Sequence, residues 1–147
     1  MKKGVFVLSI LSVFLLISFY WFYEQAGAEL TVNQSKEIQQ DEFILHIRVE
    51  KMSEGFQVFR SIQYIGEEQV EITHQTPLIS VSLKHKNHDY TGSNVTRVLT
   101  SGSSYHPQGS KTFEAPGRGE YTLFCESRFN VDGEEIKINY QENLMFN

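Results

Sequence analysis

Residues 119–140 run GEYTLFCESRFNVDGEEIKINY, and this stretch decides the fold. Tyr121, Leu123, Cys125, Phe129 and Val131 share one parity, while Thr122, Phe124, Glu126, Arg128 and Asn130 share the other. A period of two belongs to a strand with one face on a core. Asp132-Gly133 follows, a pair that favours φ > 0 at both central positions of a tight hairpin turn. Ile136, Ile138 and Tyr140 then supply the returning strand, and Pro116-Gly117-Arg118-Gly119 marks the turn that leads in.

The same alternation extends towards the N-terminus. Phe43, Leu45, Ile47 and Val49 alternate with Ile44, His46, Arg48 and Glu50. After Ser53-Glu54-Gly55, a second run puts Phe56, Val58, Ile62 and Tyr64 on one face, with Arg60 as the exception. Gly66-Glu67-Glu68 turns the chain into Val70–His74, and Pro77, which cannot donate to a central ladder, predicts a bend or edge before Leu78–Leu83. A polar segment from Lys84 to Ser93 precedes a short strand at Val95–Leu99, and residues 100–110 have the composition of a loop. The pattern predicts an all-β fold, an antiparallel immunoglobulin-like β-sandwich of seven to eight strands over residues 43–147. An up-and-down barrel is the second arrangement it allows.

Ahead of this domain, Lys2 and Lys3 precede an uncharged run from Gly4 to Tyr23, which predicts one N-terminal hydrophobic helix. Roughly 20 apolar residues are enough to cross a bilayer, and Phe19–Tyr23 resembles an interfacial aromatic belt. Ala26-Gly27-Ala28 fits the small-x-small pattern of a signal-peptidase site. Residues 1–28 are therefore expected to be a signal peptide or an N-terminal membrane anchor. Lysines before the run hold that end inside, so the rest of the chain is expected outside: extracytoplasmic, membrane-anchored through residues 4–23 (N-in, C-out) or secreted. Residues 29–42 are polar and are expected to act as a flexible spacer.

The chain has 147 residues, 13 Lys and Arg, and 18 Asp and Glu. Residues 1–28 hold two of those cations and one of those anions, so the remainder carries a net charge near −6. An acidic domain with no basic cluster argues against nucleic acid as a partner. The single cysteine, Cys125, excludes an internal disulfide framework, which in an exported chain suits a Gram-positive bacterium.

His85-Lys86-Asn87-His88-Asp89 places two imidazoles and a carboxylate within five residues. Structural zinc sites draw on separated ligand pairs, and here the other histidines, His46, His74 and His106, are scattered, so no metal is expected. Cys125 has core parity and is expected to be a small hydrophobe rather than a nucleophile. Glu67-Glu68 and Glu134-Glu135 sit at hairpin turns, where neighbours point to opposite faces and form no acid–base couple. Nucleophile-elbow, phosphate-loop and HExxH motifs are absent from the sequence, so neither enzymatic chemistry nor a cofactor is expected. Tyr105 and His106 lie among small residues, a composition that suits recognition loops. The candidate binding residues are therefore His85, His88, Asp89, Tyr90, Tyr105 and His106.

Tyr64–Ile72 and Ala115–Leu123 resemble segments of small immunoglobulin-like modules on bacterial cell surfaces, the second through its P-G…Y-T-L hairpin entry. Among named families the style is similar to the BsuPI-type proteinase inhibitors of bacilli. That resemblance implies an all-β sandwich and, as a second reading of function, protease inhibition. It departs from the family in its tryptophans, since the one present, Trp21, lies in the apolar run. The function expected first is an extracytoplasmic binding or accessory module of a bacterial cell envelope. It would meet an unknown protein partner through the loops 84–94 and 100–110 or through edge strands. A metal-dependent enzyme is the third reading.

Overall fold

The computed structural model describes residues 2–25, 27–102 and 104–147. One helix, α1 (Lys2–Gln25), precedes nine strands: β1 (Gln34–Gln40), β2 (Phe43–Lys51), β3 (Phe56–Tyr64), β4 (Val70–Gln75), β5 (Ile79–Leu83), β6 (Asn94–Leu99), β7 (Ser104–Phe113), β8 (Gly119–Val131) and β9 (Glu134–Phe146). They form two antiparallel sheets, the immunoglobulin-like sandwich that the alternation predicts. The first sheet has the order β1-β2-β3-β7. In the second, β8 carries β9 along its whole length, while β5 and β4 pair with it at successive points, and β6 flanks β4.

The inward-facing residues build the core. Phe43, Leu45, Ile47 and Val49 of β2 and Phe56, Val58 and Ile62 of β3 are buried against Leu123, Cys125 and Phe129 of β8 and Ile138 and Leu144 of β9. Phe43 meets Phe129 edge-on with ring centroids 4.7 Å apart, the geometry that aromatic quadrupoles favour. Asp132 and Gly133 have φ of 51° and 82°, so the hairpin turn has the positive-φ form expected for this pair.

Two tracts differ from their sequence-based expectation. Residues 29–42 are not a flexible spacer: Gln34–Gln40 pairs in register with β2, from Gln34 opposite Val49 to Gln40 opposite Phe43. Just before it, Glu29 and Asn147 exchange backbone bonds of 3.0 Å, and Leu30 is 1% exposed. An edge strand is held by its ladder and needs few inward apolar groups, so composition hid it. The tract 100–110 is likewise a loop only at its start, because β7 begins at Ser104 and pairs with β3. Pro107 and Gly109 gave it a loop composition, and both are tolerated on an edge strand.

Arg60, the polar exception on an apolar face, closes one side of the sandwich. The β3–β7 register shifts between Val58 and Arg60, and the guanidinium donates to the carbonyls of Gly109 (2.9 Å) and Ile79. Lys111 of β7 donates to the Val81 carbonyl at 2.7 Å. The carbonyls of edge strand β5 are thus capped by cations from the opposite sheet, which blocks strand addition there. Burial pushes the Arg60 pKa down, and the charge of Asp89 opposes that. Replacing Arg60 by alanine strands two carbonyls and is expected to cost about 1–3 kcal/mol, read as a lower urea midpoint.

In α1 the described side chains are Val7 and those from Ser9 to Tyr23, and the large apolar ones among them are exposed, with the Tyr23 ring meeting the Arg118 guanidinium at 5.1 Å. Among the described residues, no helix is long and apolar enough to cross a membrane. Ala26, half of the small-x-small motif, lies outside the described residues.

Candidate functional site

Pairing of β5 with β8 sets Ser80 opposite Glu126 and Ser82 opposite Phe124. Alternation turns these four side chains to the outer face of the sheet, where a carboxylate would ordinarily be wet. Glu126 is nevertheless only 4% exposed. The cause is the 84–93 segment, which doubles back over the sheet.

Local bonds hold that cover in place. Lys84 N–H donates to the Thr122 carbonyl at 2.9 Å, and Thr91 N–H to the Thr76 carbonyl at 2.7 Å. Between these ends, Asn87 N–H donates to Ser82 Oγ (3.1 Å) and Asp89 N–H to Ser80 Oγ (3.2 Å). Ser80 Oγ donates in turn to Asp89 Oδ1 (2.7 Å), and Lys111 Nζ reaches Asp89 Oδ2 at 3.0 Å.

Tyr90 lays its hydroxyl 3.1 Å from the Glu126 carbonyl and 3.2 Å from Glu126 Oε1. The Arg128 guanidinium sits 4.4 Å from the Tyr90 ring centre, and the His88 ring stacks at 5.6 Å. His88 Nε2 lies 3.6 Å from Glu126 Oε2. Burial and the Glu126 carboxylate push the Tyr90 phenol well above its ordinary range, so it is a hydrogen-bond donor at every physiological pH.

Beside this cluster is a cavity of about 160 Å³. Its wall includes Ser80, Ser82, Lys86, His88, Phe124 and Glu126, with Asn139, Tyr140 and Gln141 from β9. Many of these residues carry polar groups, although the wall they present is mainly apolar, and Glu126 is the buried acid among them. Cys125 also borders the cavity, but burial pushes its thiol up to about 12, which leaves it un-ionised and poorly nucleophilic at neutral pH. The arrangement is suited to accepting hydrogen bonds from a donor group, and above all from a cation.

The six residues singled out from sequence divide among four places. His88, Asp89 and Tyr90 join the Glu126 cluster, whereas His85 is exposed and does not line the cavity. Tyr105, 57% exposed, lies on the outer face of the other sheet with its ring centre 5.7 Å from that of His46. His106 points inward, and its Nε2 is 3.4 Å from that of His74. Burial, His74 and Arg97 push the His106 pKa down. Sequence reasoning missed Glu126, Ser80, Ser82, Asn139 and Gln141. Parity alone would have put Glu126 on the non-core face, but nothing local signals that a loop 36 residues away in sequence would bury it. Among the described residues, no group of three or more His, Cys, Asp or Glu is placed to hold a metal ion.

The Asp89 carboxyl predicts how the cover responds to acid. Burial pushes its pKa up, but the bonds from Ser80 and Lys111 outweigh that and hold it below the ordinary value of 3.8. A group depressed in the folded state stabilises above its unfolded pKa and loses that contribution as pH falls through the folded one. Asp89→Asn is therefore expected to lower stability at pH 7 by at most about 1 kcal/mol, since the pair is partly exposed and screened. The difference from wild type should shrink as pH falls below 3.8 and on through the depressed folded pKa, as urea midpoints at pH 7 and along an acid series will show.

Fold and site together define an all-β sandwich with a loop-covered, acid-containing cavity on one outer face. No family model matches the chain, and no curated protein matches it. Among solved structures, the GAE domain of GGA2p from Saccharomyces cerevisiae is similar at 9% identity and a TM-score of 0.40, over 75% of this chain and 96% of that domain.

Proposed function

We propose that this protein is an extracytoplasmic binding module of a bacterial cell envelope, and that a partner protein engages it at the cavity beneath the 84–93 loop. The observation that carries the reading is Glu126: a carboxylate with a side chain 5% exposed, whose ion-pair contact among the described residues is His88, charged only if protonated. A buried charge is costly unless it is paired. An amino or guanidinium group from a partner side chain completes the pairing, with Ser80, Ser82, Asn139 and Gln141 to accept its remaining protons. The address rests on Lys2 and Lys3 ahead of the uncharged run 4–23, which supports either an anchor or an export signal. Exposed apolar side chains along α1 are also poorly tolerated in water and better accommodated by lipid.

Labelling of intact cells with a membrane-impermeant amine reagent tests the reading. Lys51 and Lys137, which are exposed, are expected to be modified before lysis, and Lys86 to be spared while the partner is bound. Modification only after lysis would contradict the extracytoplasmic placement. Equal labelling of Lys86 with and without the partner would contradict use of the cavity.

A further inference from the structure

The outer face of the first sheet carries a hollow of about 410 Å³, larger than the cavity beneath the 84–93 loop and on the opposite side of the sandwich. Strand pairing sets its floor. Ser61 of β3 stands opposite His46 of β2 and Pro107 of β7. Phe59 lies two residues back on the same face of β3, and Tyr105 lies on the diagonal, opposite Gln63. The small serine between the two rings makes the face dip there. A volume of this order is typical of small-molecule sites, which run to about 300–1,000 Å³.

The walls of the hollow hold one another in place. The His46 ring is pinned between Gln63 Oε1 at 2.7 Å and Glu37 Oε1 at 3.3 Å. The Arg48 guanidinium lies 4.4 Å from the Phe59 ring centre, and its Nε is 3.1 Å from Glu50 Oε1. Arg48 thus takes one face of Phe59, and Tyr105, 57% exposed, is the more open ring. The lining also supplies an acceptor (Glu37), a donor (Arg48) and a hydroxyl that does both (Ser61). Arg48 and Arg60 balance Glu37 and Glu50, so the hollow offers no excess charge to an ion.

We propose that this hollow binds a neutral glycan, with the C–H face of one pyranose ring against Tyr105 and its hydroxyls bonded to Glu37, Ser61 and Arg48. A pyranose with equatorial hydroxyls turns weakly positive C–H groups to either face, which suits the negative face of an aromatic ring. Its hydroxyls both donate and accept, so they match a wall of mixed donors and acceptors. An anionic ligand would meet an acidic domain. A peptide cannot add here as a strand, because β3 is already paired on both sides, with β2 and β7. A proline-rich peptide offers carbonyl acceptors and no N–H at proline, which leaves Glu37 unmatched. The site is independent of the Glu126 cavity and of the partner proposed for it.

The experiment is calorimetry of the full chain, in a detergent without a sugar head group, against cellohexaose, chitohexaose, hexagalacturonate and a proline decapeptide. Saturable binding of one or both neutral hexasaccharides is expected, with a Kd of about 10 µM to 1 mM. Tyr105→Ala, at an exposed position, should weaken it at least about tenfold with the thermal midpoint unchanged. Ser61→Tyr, which fills the hollow from its floor, should abolish binding, and its thermal midpoint reports whether it folds. Absence of saturable binding by either neutral hexasaccharide would overturn the proposal. So would tighter binding of the galacturonate or the proline peptide, or neutral-glycan binding that survives Tyr105→Ala unweakened.

Discussion

Replacing Phe129 by alanine is expected to remove about 3–5 kcal/mol of stability, as large a loss as a single truncation in such a core produces. Phe129 is 1% exposed and lies near the C-terminal end of β8, the strand that pairs with β9, β5 and β4. Its ring meets Phe43 of the opposite sheet at 4.7 Å, so truncation opens a cavity at the contact between the two layers. A domain of this size is stable by about 5–15 kcal/mol, so the variant should be marginal at growth temperature. Urea unfolding followed by intrinsic fluorescence gives the number. A loss under about 1 kcal/mol would mean that the two sheets do not pack through this residue.

Much of this architecture was legible because a half-buried strand writes its geometry into alternate residues. β2, β3, β8 and β9 each bury one parity more deeply than the other, Glu126 of β8 being the exception, and Asp132-Gly133 announced its own turn. Edge strands carry no such record. β1 has one partner and little core-facing surface, and β7 carries Pro107 and Gly109 where backbone pairing, not side chains, does the ordering. The site was legible only in part. His88, Asp89 and Tyr90 were found as a polar cluster, but the acid they cover comes from a strand whose local pattern marks Glu126 as an ordinary solvent-facing residue. Arg60 stood out because it broke a parity, and the structure gives the reason in the carbonyls of Ile79 and Gly109. His74 and His106 could not be paired from sequence, since only the packing of the two sheets brings them together.

Glu126→Gln is expected to separate function from stability. The amide keeps the size of the side chain and an oxygen for the Tyr90 hydroxyl, and removes the charge. Replacing a buried charge by a neutral group of the same shape is often neutral or slightly stabilising, so the unfolding midpoint should stay within about 1 kcal/mol of wild type. A charge-assisted contact to a partner cation contributes about 2–5 kcal/mol, so affinity should fall at least about 30-fold. An unchanged affinity would remove Glu126 from the binding surface.

Whether a partner sits in the cavity is read by site-specific photo-crosslinking in intact cells, with the crosslinker placed at Asn139 on the cavity wall and, in a second chain, at Gln57 on the outer face of the other sheet. One discrete crosslinked envelope protein is expected from position 139, lost on Glu126→Gln and not obtained from position 57. The same product from both positions, or one from 139 that persists without the Glu126 charge, would contradict a partner held in the cavity.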